Sequence, residues 1–110
     1  MSLARSNGGE AAVNELEGKA EEAARLMSVL SNPKRLLALC QLVEGEKAAG
    51  RLADMVGLSP AALSQHLALM RAMNIVGTRR DGATVYYRLA SPEARAVLET
   101  LYRVYCEPDG

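Results

Sequence analysis

The chain has 110 residues, enough for one domain with one modest core and too few for two independent cores. Hydrophobic residues make up 49% of it, but Trp and Phe are absent, so the core must be mainly aliphatic, which favours helices. The formal net charge is zero, and no apolar run approaches the roughly 18 residues of a membrane span or resembles a signal peptide. We therefore expect a cytoplasmic protein with no membrane partner.

The start of the chain is polar, and we expect a disordered tail over residues 1–9 followed by one domain over residues 10–107. The segment EAAVNELEGKAEEAARLMSVL has apolar residues at three- and four-residue steps and predicts an amphipathic first helix. This helix carries five glutamates against Lys19 and Arg25, whereas residues 51–90 carry five arginines against two aspartates. The basic excess lies in the middle of the chain, where it could serve an anionic partner or form an ordinary solvated face.

Three helices are predicted to begin where an N-capping residue precedes a proline, whose missing N–H costs nothing at the first helical position. These pairs are Asn32-Pro33, Ser59-Pro60 and Ser91-Pro92. The second helix, PKRLLALCQLV, is expected to bury Leu36, Leu39, Cys40 and Val43. A short third helix, AAGRLADMV, is expected to end at Gly57.

After the fourth helix the pattern changes from helical to alternating. The segments IVGTRR and ATVYYRL flank Asp81-Gly82, a pair suited to a two-residue hairpin turn. The inward-facing residues are expected to be Val85, Tyr87 and Leu89. A final helix is expected to run to about Cys106, so the predicted fold is mainly α with a small β-hairpin, in the order α-α-α-α-β-β-α.

The segment GRLADMVGLSPAALSQHLALMRAMN combines a short helix, a Gly-containing turn and a capped second helix, as in a helix-turn-helix, and the hairpin after it supplies a wing. On a helical wheel Leu63, Leu67 and Met70 form the core stripe of the second helix. The opposite side carries small residues, which let a backbone approach a surface closely, and Gln65, which can form a bidentate pair with adenine.

A winged helix-turn-helix predicts contacts with double-stranded DNA from the second helix and the wing. Ser59 and the helix N-terminus can bind a phosphate, and arginines on the hairpin, Arg88 included, add positive charge. The candidate DNA-binding residues are Ser59, Ala61, Ser64, Gln65, His66, Ala68, Arg71, Arg79 and Arg80.

His66 is the only histidine of the chain. As a metal ligand it would need Cys, His or carboxylate partners at ligand spacing, and neither Gln65 nor Leu67 beside it is a good ligand. As a catalytic base it would need a nucleophile such as Cys40 or Cys106 brought close by the fold. A histidine bonded to backbone at the rim of the helix and a DNA-contacting histidine both stay open.

Four stretches, LSNPKRLLAL, LVEGE, LSPAALSQHLALMRAMNIV and TRRDGATVYYRL, resemble the ArsR/SmtB family of bacterial winged-helix repressors. The resemblance covers about Ala20 to Cys106. It implies a homodimer, paired through the first and last helices, that binds a pseudo-palindromic operator and is released by an inducer. It does not imply a metal or another cofactor here, because RLADMVG lacks the cysteines of one family metal site and the last helix lacks the histidine of the other.

Cys40 and Cys106 lie far apart in sequence, without CxxC spacing. From the residues alone, Cys40 on an apolar face is more typical of a small core hydrophobe. The pair is, however, similar to that of the sulfide- and persulfide-responsive branch of the family, typified by BigR and SqrR. That resemblance implies redox sensing, in which persulfides or polysulfides join the two thiols of one subunit by a disulfide or polysulfide bridge and operator DNA is released.

Three other functions stay open at this stage. The same DNA-binding module could have inert cysteines and another inducer, such as a small molecule in the dimer cleft. The chain could be a thiol enzyme using Cys40 or Cys106 with His66, although no second polar partner supports that, or a winged-helix protein-interaction module, against which Arg79 and Arg80 argue.

Overall fold

A computed structural model describes the backbone of residues 9–106 and the side chains of residues 12–106. The helices are α1 (Gly9–Leu30), α2 (Pro33–Val43), α3 (Ala49–Val56), α4 (Pro60–Ala72) and α5 (Pro92–Tyr105), and the strands are β1 (Lys47–Ala48), β2 (Val76–Asp81) and β3 (Thr84–Leu89). The predicted winged helix-turn-helix fold is confirmed. The predicted tail lies outside the described residues except for Gly9, which begins α1, and residue 107 also lies outside them.

The three predicted proline-marked helix starts are confirmed. Asn32, Ser59 and Ser91 each accept backbone N–H hydrogen bonds from the first turn through a side-chain oxygen, at 2.9 to 3.1 Å. Helix α3 begins without a side-chain cap, at Ala48, and is ended by Gly57 in the left-handed conformation at φ 72°. Local hydrogen bonding therefore sets most helix boundaries in this fold.

One aliphatic core joins all the helices, and its largest fully buried side chains are Leu39, Leu42, Leu52, Leu63, Leu67, Met70 and Leu98. On α2 the prediction was partly wrong. Leu39 is buried as expected, but Ala38 and Leu42 are the other buried residues, whereas Leu36, Cys40 and Val43 are only half-buried. Helix α2 packs against α1, α3, α5 and β3, and the small Ala38 lets these elements approach it closely. The buried face of α2 is therefore centred on Ala38, Leu39 and Leu42, away from Cys40.

The wing is part of a three-stranded antiparallel sheet in the order β1-β3-β2. Strand β1 was not predicted, because two residues cannot show an alternating pattern. The predicted turn was also displaced by one residue: Asp81 pairs with Thr84, so the turn residues are Gly82 and Ala83. Gly82 has φ 63°, and a two-residue turn with positive φ at its first position favours glycine there.

Basic side chains hold several helix ends by donating to backbone carbonyl oxygens that have no partner within their own helix. The donors and acceptors are Lys34 Nζ to Val56 O (2.6 Å), Arg35 Nε to Val29 O (2.9 Å) and Arg95 Nη1 to Val43 O (3.2 Å). Helix α2 is thereby bonded to the ends of α1 and α3 and to α5. Within the described residues, no helix is long and apolar enough to cross a membrane.

Candidate nucleic-acid interface and cysteine pair

Helix α4 has one buried and one exposed side, as the sequence predicts. Leu63, Leu67 and Met70 are buried and fix the helix on the core. The exposed members of the predicted DNA-binding set on this helix are Ala61, Ser64, Gln65, Ala68 and Arg71. The side turned to solvent thus consists mainly of small or polar residues that a duplex could approach closely.

Ser59 lies at the exposed start of α4, where its Oγ accepts the Ala62 N–H at 3.1 Å. A hydroxyl that accepts one hydrogen bond can still donate its own proton. Ser59 therefore caps the helix and keeps a donor that could serve a phosphate oxygen. The positive end of the α4 dipole lies at the same place.

His66 is half-buried on the flank of α4. Among the described residues no hydrogen bond involves its side chain, and no group of three or more His, Cys, Asp or Glu residues comes together in a way that could hold a metal ion. The imidazole thus lies at the edge of the exposed α4 surface, where neither nitrogen is used by the described part of the chain.

The two predicted wing arginines differ in their surroundings. Arg79 Nε donates to both carboxylate oxygens of Glu46 at 2.9 Å, and its Nη2 lies 2.8 Å from Glu46 Oε1. Its guanidinium also lies 4.3 Å from the centre of the Tyr86 ring, in a cation–π contact. The hydrogen bond with Glu46 raises the pKa of Arg79 above its usual range. Arg80 is exposed, and within the described residues it forms no ion pair.

Arg88, the third arginine of the hairpin, is held against the strands. It pairs with Gly77, and a Cβ at Gly77 would lie 2.7 Å from Arg88 Nη2. Its Nη1 donates to Thr78 O at 3.3 Å. Glycine at position 77 therefore leaves the space in which the Arg88 guanidinium lies.

Two residues that lie in this region, Leu69 and Glu46, were not singled out from the sequence. Leu69 is 44% exposed on α4, one turn after Gln65, and the helical wheel already places it near the candidate DNA-binding residues. Glu46, the partner of Arg79, is separated from it by 33 residues and has no local signal that could have identified it.

The two cysteines lie on different helices that pack against each other. Cys40 is half-buried on α2 against the core, and Cys106 is exposed at the C-cap of α5. Burial raises the pKa of the Cys40 thiol, and the negative charge of a Cys106 thiolate raises that pKa further. Packing of α2 against α5 therefore places two thiols that are far apart in the sequence on adjoining helices.

Helices α1 and α5 expose large apolar side chains. Those of α1 are Val13, Leu16 and Met27, and those of α5 are Tyr102, Val104 and Tyr105. Tyr102 and Tyr105 follow the buried Leu98 at steps of four and three residues, so the apolar stripe of α5 continues beyond the core. A cleft of about 900 Å³ lies between α1, the end of α4 and the start of α5.

Comparison with known proteins gives a consistent picture. Residues 32–78 match the family model described as "Bacterial regulatory protein, arsR family". The transcriptional activator HlyU of Vibrio cholerae serotype O1 is 40% identical over 95 residues, which span 86% of this chain and 88% of that protein. Nodulation protein NolR of Rhizobium meliloti is 51% identical over 86 residues, which span 78% of this chain and 70% of that protein.

Solved structures agree with these matches. The crystal structure of the transcriptional repressor BigR from Xylella fastidiosa superposes with a TM-score of 0.81 at 38% identity, covering 86% of this chain and 97% of that chain. A solution structure of Mb0332 from Mycobacterium bovis, described as a homodimeric winged helix-turn-helix DNA-binding domain, superposes with a TM-score of 0.69 at 26% identity, covering 91% of this chain and 86% of that chain.

Proposed function

We propose that this chain, which belongs to the arsR family of bacterial regulatory proteins, is a homodimeric repressor that releases its operator in response to reactive sulfur species. Membership of the family makes it a DNA-binding transcriptional regulator and not an enzyme. The bridge between Cys40 and Cys106 is the switch. The observation that carries this proposal is the placement of Cys40 on α2 and Cys106 at the end of α5, two helices that pack against each other.

Repression is favoured by the likeness to BigR, which is named a transcriptional repressor, although HlyU is named an activator. The exposed side of α4 is the proposed base-reading surface. Gln65 supplies a bidentate donor and acceptor, while Ala61, Ala68 and Ser64 allow close approach. Phosphate contacts come from Ser59, His66, Arg71 and the basic wing.

The homodimer is proposed to form through α1 and α5, with a second copy covering the apolar side chains that these helices expose. Tyr105 is 79% exposed and Val104 67%, and exposed large apolar groups that adjoin one another mark an interaction surface. A C2 dimer presents two α4 helices related by the axis, which matches a pseudo-palindromic duplex.

The sulfur chemistry can be written with the thiols in distinct roles. A Cys106 thiolate attacks the outer sulfur of a persulfide donor R–S–SH, forms Cys106–S–SH and releases R–S⁻. A Cys40 thiolate then attacks Cys106 Sγ, the inner sulfur of this persulfide, so that a Cys40–Cys106 disulfide forms and the outer sulfur leaves as HS⁻. The two thiols are oxidised and the donor is reduced. When Cys106 first takes up a longer sulfur chain and Cys40 attacks farther along it, the bridge keeps additional sulfurs.

Helix α2 is the element that could transmit the bridge to the DNA-binding surface. It carries Cys40 in its last turn, and near its start Lys34 Nζ donates to Val56 O at the end of α3. A bridge from Cys40 to the end of α5 ties α2 to the proposed dimer helix. Movement of α2 against α5 then changes the spacing of the two α4 helices, and half-sites about 34 Å apart tolerate little change.

The test begins with the reduced full chain and duplexes selected from random sequence. We expect salt-dependent binding to a pseudo-palindromic duplex, loss of that binding after treatment with glutathione persulfide, and recovery after a dithiol reductant. Duplex binding that the persulfide donor leaves unchanged would retain the DNA-binding regulator and reject the sulfur sensor, leaving the cysteines as core residues and another inducer. Failure to bind any duplex would reject both.

A further inference from the structure

The wing has two faces with different arginines. In an antiparallel sheet, paired residues lie on the same face and neighbours along a strand lie on opposite faces. Arg79 pairs with Tyr86, and Arg80 pairs with Val85. The two adjacent arginines therefore point to opposite sides of the hairpin.

The face of Arg80 is the one that turns toward α4. It also carries Tyr87 and Leu89, which pack against the core. Tyr87 lines a small recess together with Pro60, Leu63 and Ser64 at the start of α4. Arg80 extends this face beyond the core to the exposed end of the hairpin, on the side of the proposed base-reading surface.

The face of Arg79 is turned away from α4, and there its charge is already matched. The strand order is β1-β3-β2, and Glu46 immediately precedes β1 while Arg79 lies on β2. The Arg79 side chain crosses the Tyr86 ring of the middle strand to reach the Glu46 carboxylate. This contact joins the two outer strands of the sheet, one of which has only two residues.

We infer that Arg80 is the wing arginine that contacts the DNA backbone, and that Glu46 is a positioning residue which, through Arg79, ties the wing to β1. The inference rests on the proposed DNA-binding function and assigns unequal roles to two arginines that the sequence presents as equivalent. A phosphate near Arg79 would have to displace a bidentate carboxylate, whereas a phosphate near Arg80 meets a cation without a competing ion pair in the described residues.

The first experiment compares Arg80→Ala with Arg79→Ala in salt titrations of binding to a labelled mixed-sequence duplex. A lost phosphate contact lowers affinity for all sequences and reduces the slope of log K against log salt by about one. We expect this from Arg80→Ala, with affinity down by about tenfold or more. We expect Arg79→Ala to keep the wild-type slope, because it acts only through the order of the wing.

A charge exchange separates positioning from direct contact. Arg79→Glu places two carboxylates together and is expected to weaken duplex binding. The double variant Arg79→Glu with Glu46→Arg restores the pair in reverse, so duplex affinity should return to within about threefold of wild type, with the wild-type slope. Glu46→Gln alone should keep the slope, because the arginine it releases is on the far face.

The possible results bear separately on the proposed DNA-binding function and on the roles of Arg79 and Arg80. Wild-type protein that binds no duplex would overturn the proposed function and this inference with it. If the wild type binds, three results would overturn this inference and leave the DNA-binding function standing. Arg79→Ala could lower the salt slope, Arg80→Ala could leave the salt slope unchanged, or the charge-exchange variant could bind the duplex as weakly as Arg79→Glu.

Discussion

Helices α4 and α5 begin in the same way and end with different surfaces. Each starts at a Ser-Pro pair whose serine hydroxyl caps the first turn, and they have 13 and 14 residues. Helix α4 exposes mainly small and polar residues, whereas α5 exposes two tyrosines and a valine in its last turn. The start signal therefore defines the helix, and the residues left exposed are the basis of the proposed partner: a duplex for α4 and a second copy of the chain for α5.

The largest expected effect is on the buried side of α4. Leu67 is 1% exposed, and Leu67→Ala should lower the free energy of unfolding by about 2 to 5 kcal/mol, because it removes apolar burial and leaves a cavity. Leu69→Ala is the matched control on the exposed side and should cost less than about 1 kcal/mol. Urea denaturation measures both. Equal losses would mean that the two sides of α4 do not differ as described.

On α5 the corresponding substitution is Tyr102→Asp with Tyr105→Asp. Two carboxylates on the exposed apolar stripe should separate the proposed dimer, and loss of the second half-site should lower operator affinity on the order of a hundredfold. Sedimentation measures the mass and anisotropy the affinity. Glu99→Lys, a charge change at an exposed position of the same helix, is the control. A double variant that stays dimeric would place the interface elsewhere.

Gln65→Ala tests whether the exposed side of α4 reads bases. If Gln65 reads an adenine, its loss should reduce discrimination at one base-pair position by about 1 to 3 kcal/mol. Arg71→Ala should instead weaken binding to all sequences alike. Competition among single-base variants of the selected duplex distinguishes the two patterns. An unchanged sequence preference in Gln65→Ala would remove this residue from the base-reading surface.

The smallest effect concerns the acid–base chemistry of Cys40 on α2, across from the end of α5. Because burial and the Cys106 charge raise the pKa of Cys40, its thiolate fraction at neutral pH is below that of the unfolded chain. Alkylation of Cys40 by iodoacetamide should be slower in folded protein than in urea, and should accelerate as pH rises. Cys106→Ser should shift this acceleration to lower pH, since one of the two causes is removed.

The same raised pKa makes a prediction for stability. The folded state holds the Cys40 proton more tightly than the unfolded state, so its contribution to stability is fully present below the unfolded pKa and is lost as pH rises through the folded pKa. Cys40→Ser should lack this dependence. An identical decline of stability at alkaline pH in both proteins would assign it to other groups.

Sequence reasoning succeeded where a feature depends on neighbouring residues. The helix starts at Asn32, Ser59 and Ser91 and the buried stripe of α4 depend on local capping and helical periodicity. Sequence reasoning failed where a contact joins distant segments. Strand β1 exists because β3 pairs with it, and the Arg79 charge is matched by Glu46, which no local pattern connects to it.

Two smaller errors have the same origin. The turn lies at Gly82 and Ala83 because the pairing of β2 with β3 sets its register, and the buried face of α2 is set by the elements that surround it. The placement of Cys40 and Cys106 on adjoining helices likewise depends on how α2 packs against α5. The family resemblance indicated that pair, whereas spacing in the sequence did not.

The central claim is that a bridge between Cys40 and Cys106 releases DNA. The most direct measurement is intact mass spectrometry together with operator binding, on the same samples of wild type, Cys40→Ser and Cys106→Ser treated with glutathione persulfide. Both variants should bind the operator when reduced and keep binding after treatment, while wild type forms an internal bridge and releases it. Release that persists in both single variants, or a bridged wild type that still binds, would contradict the account.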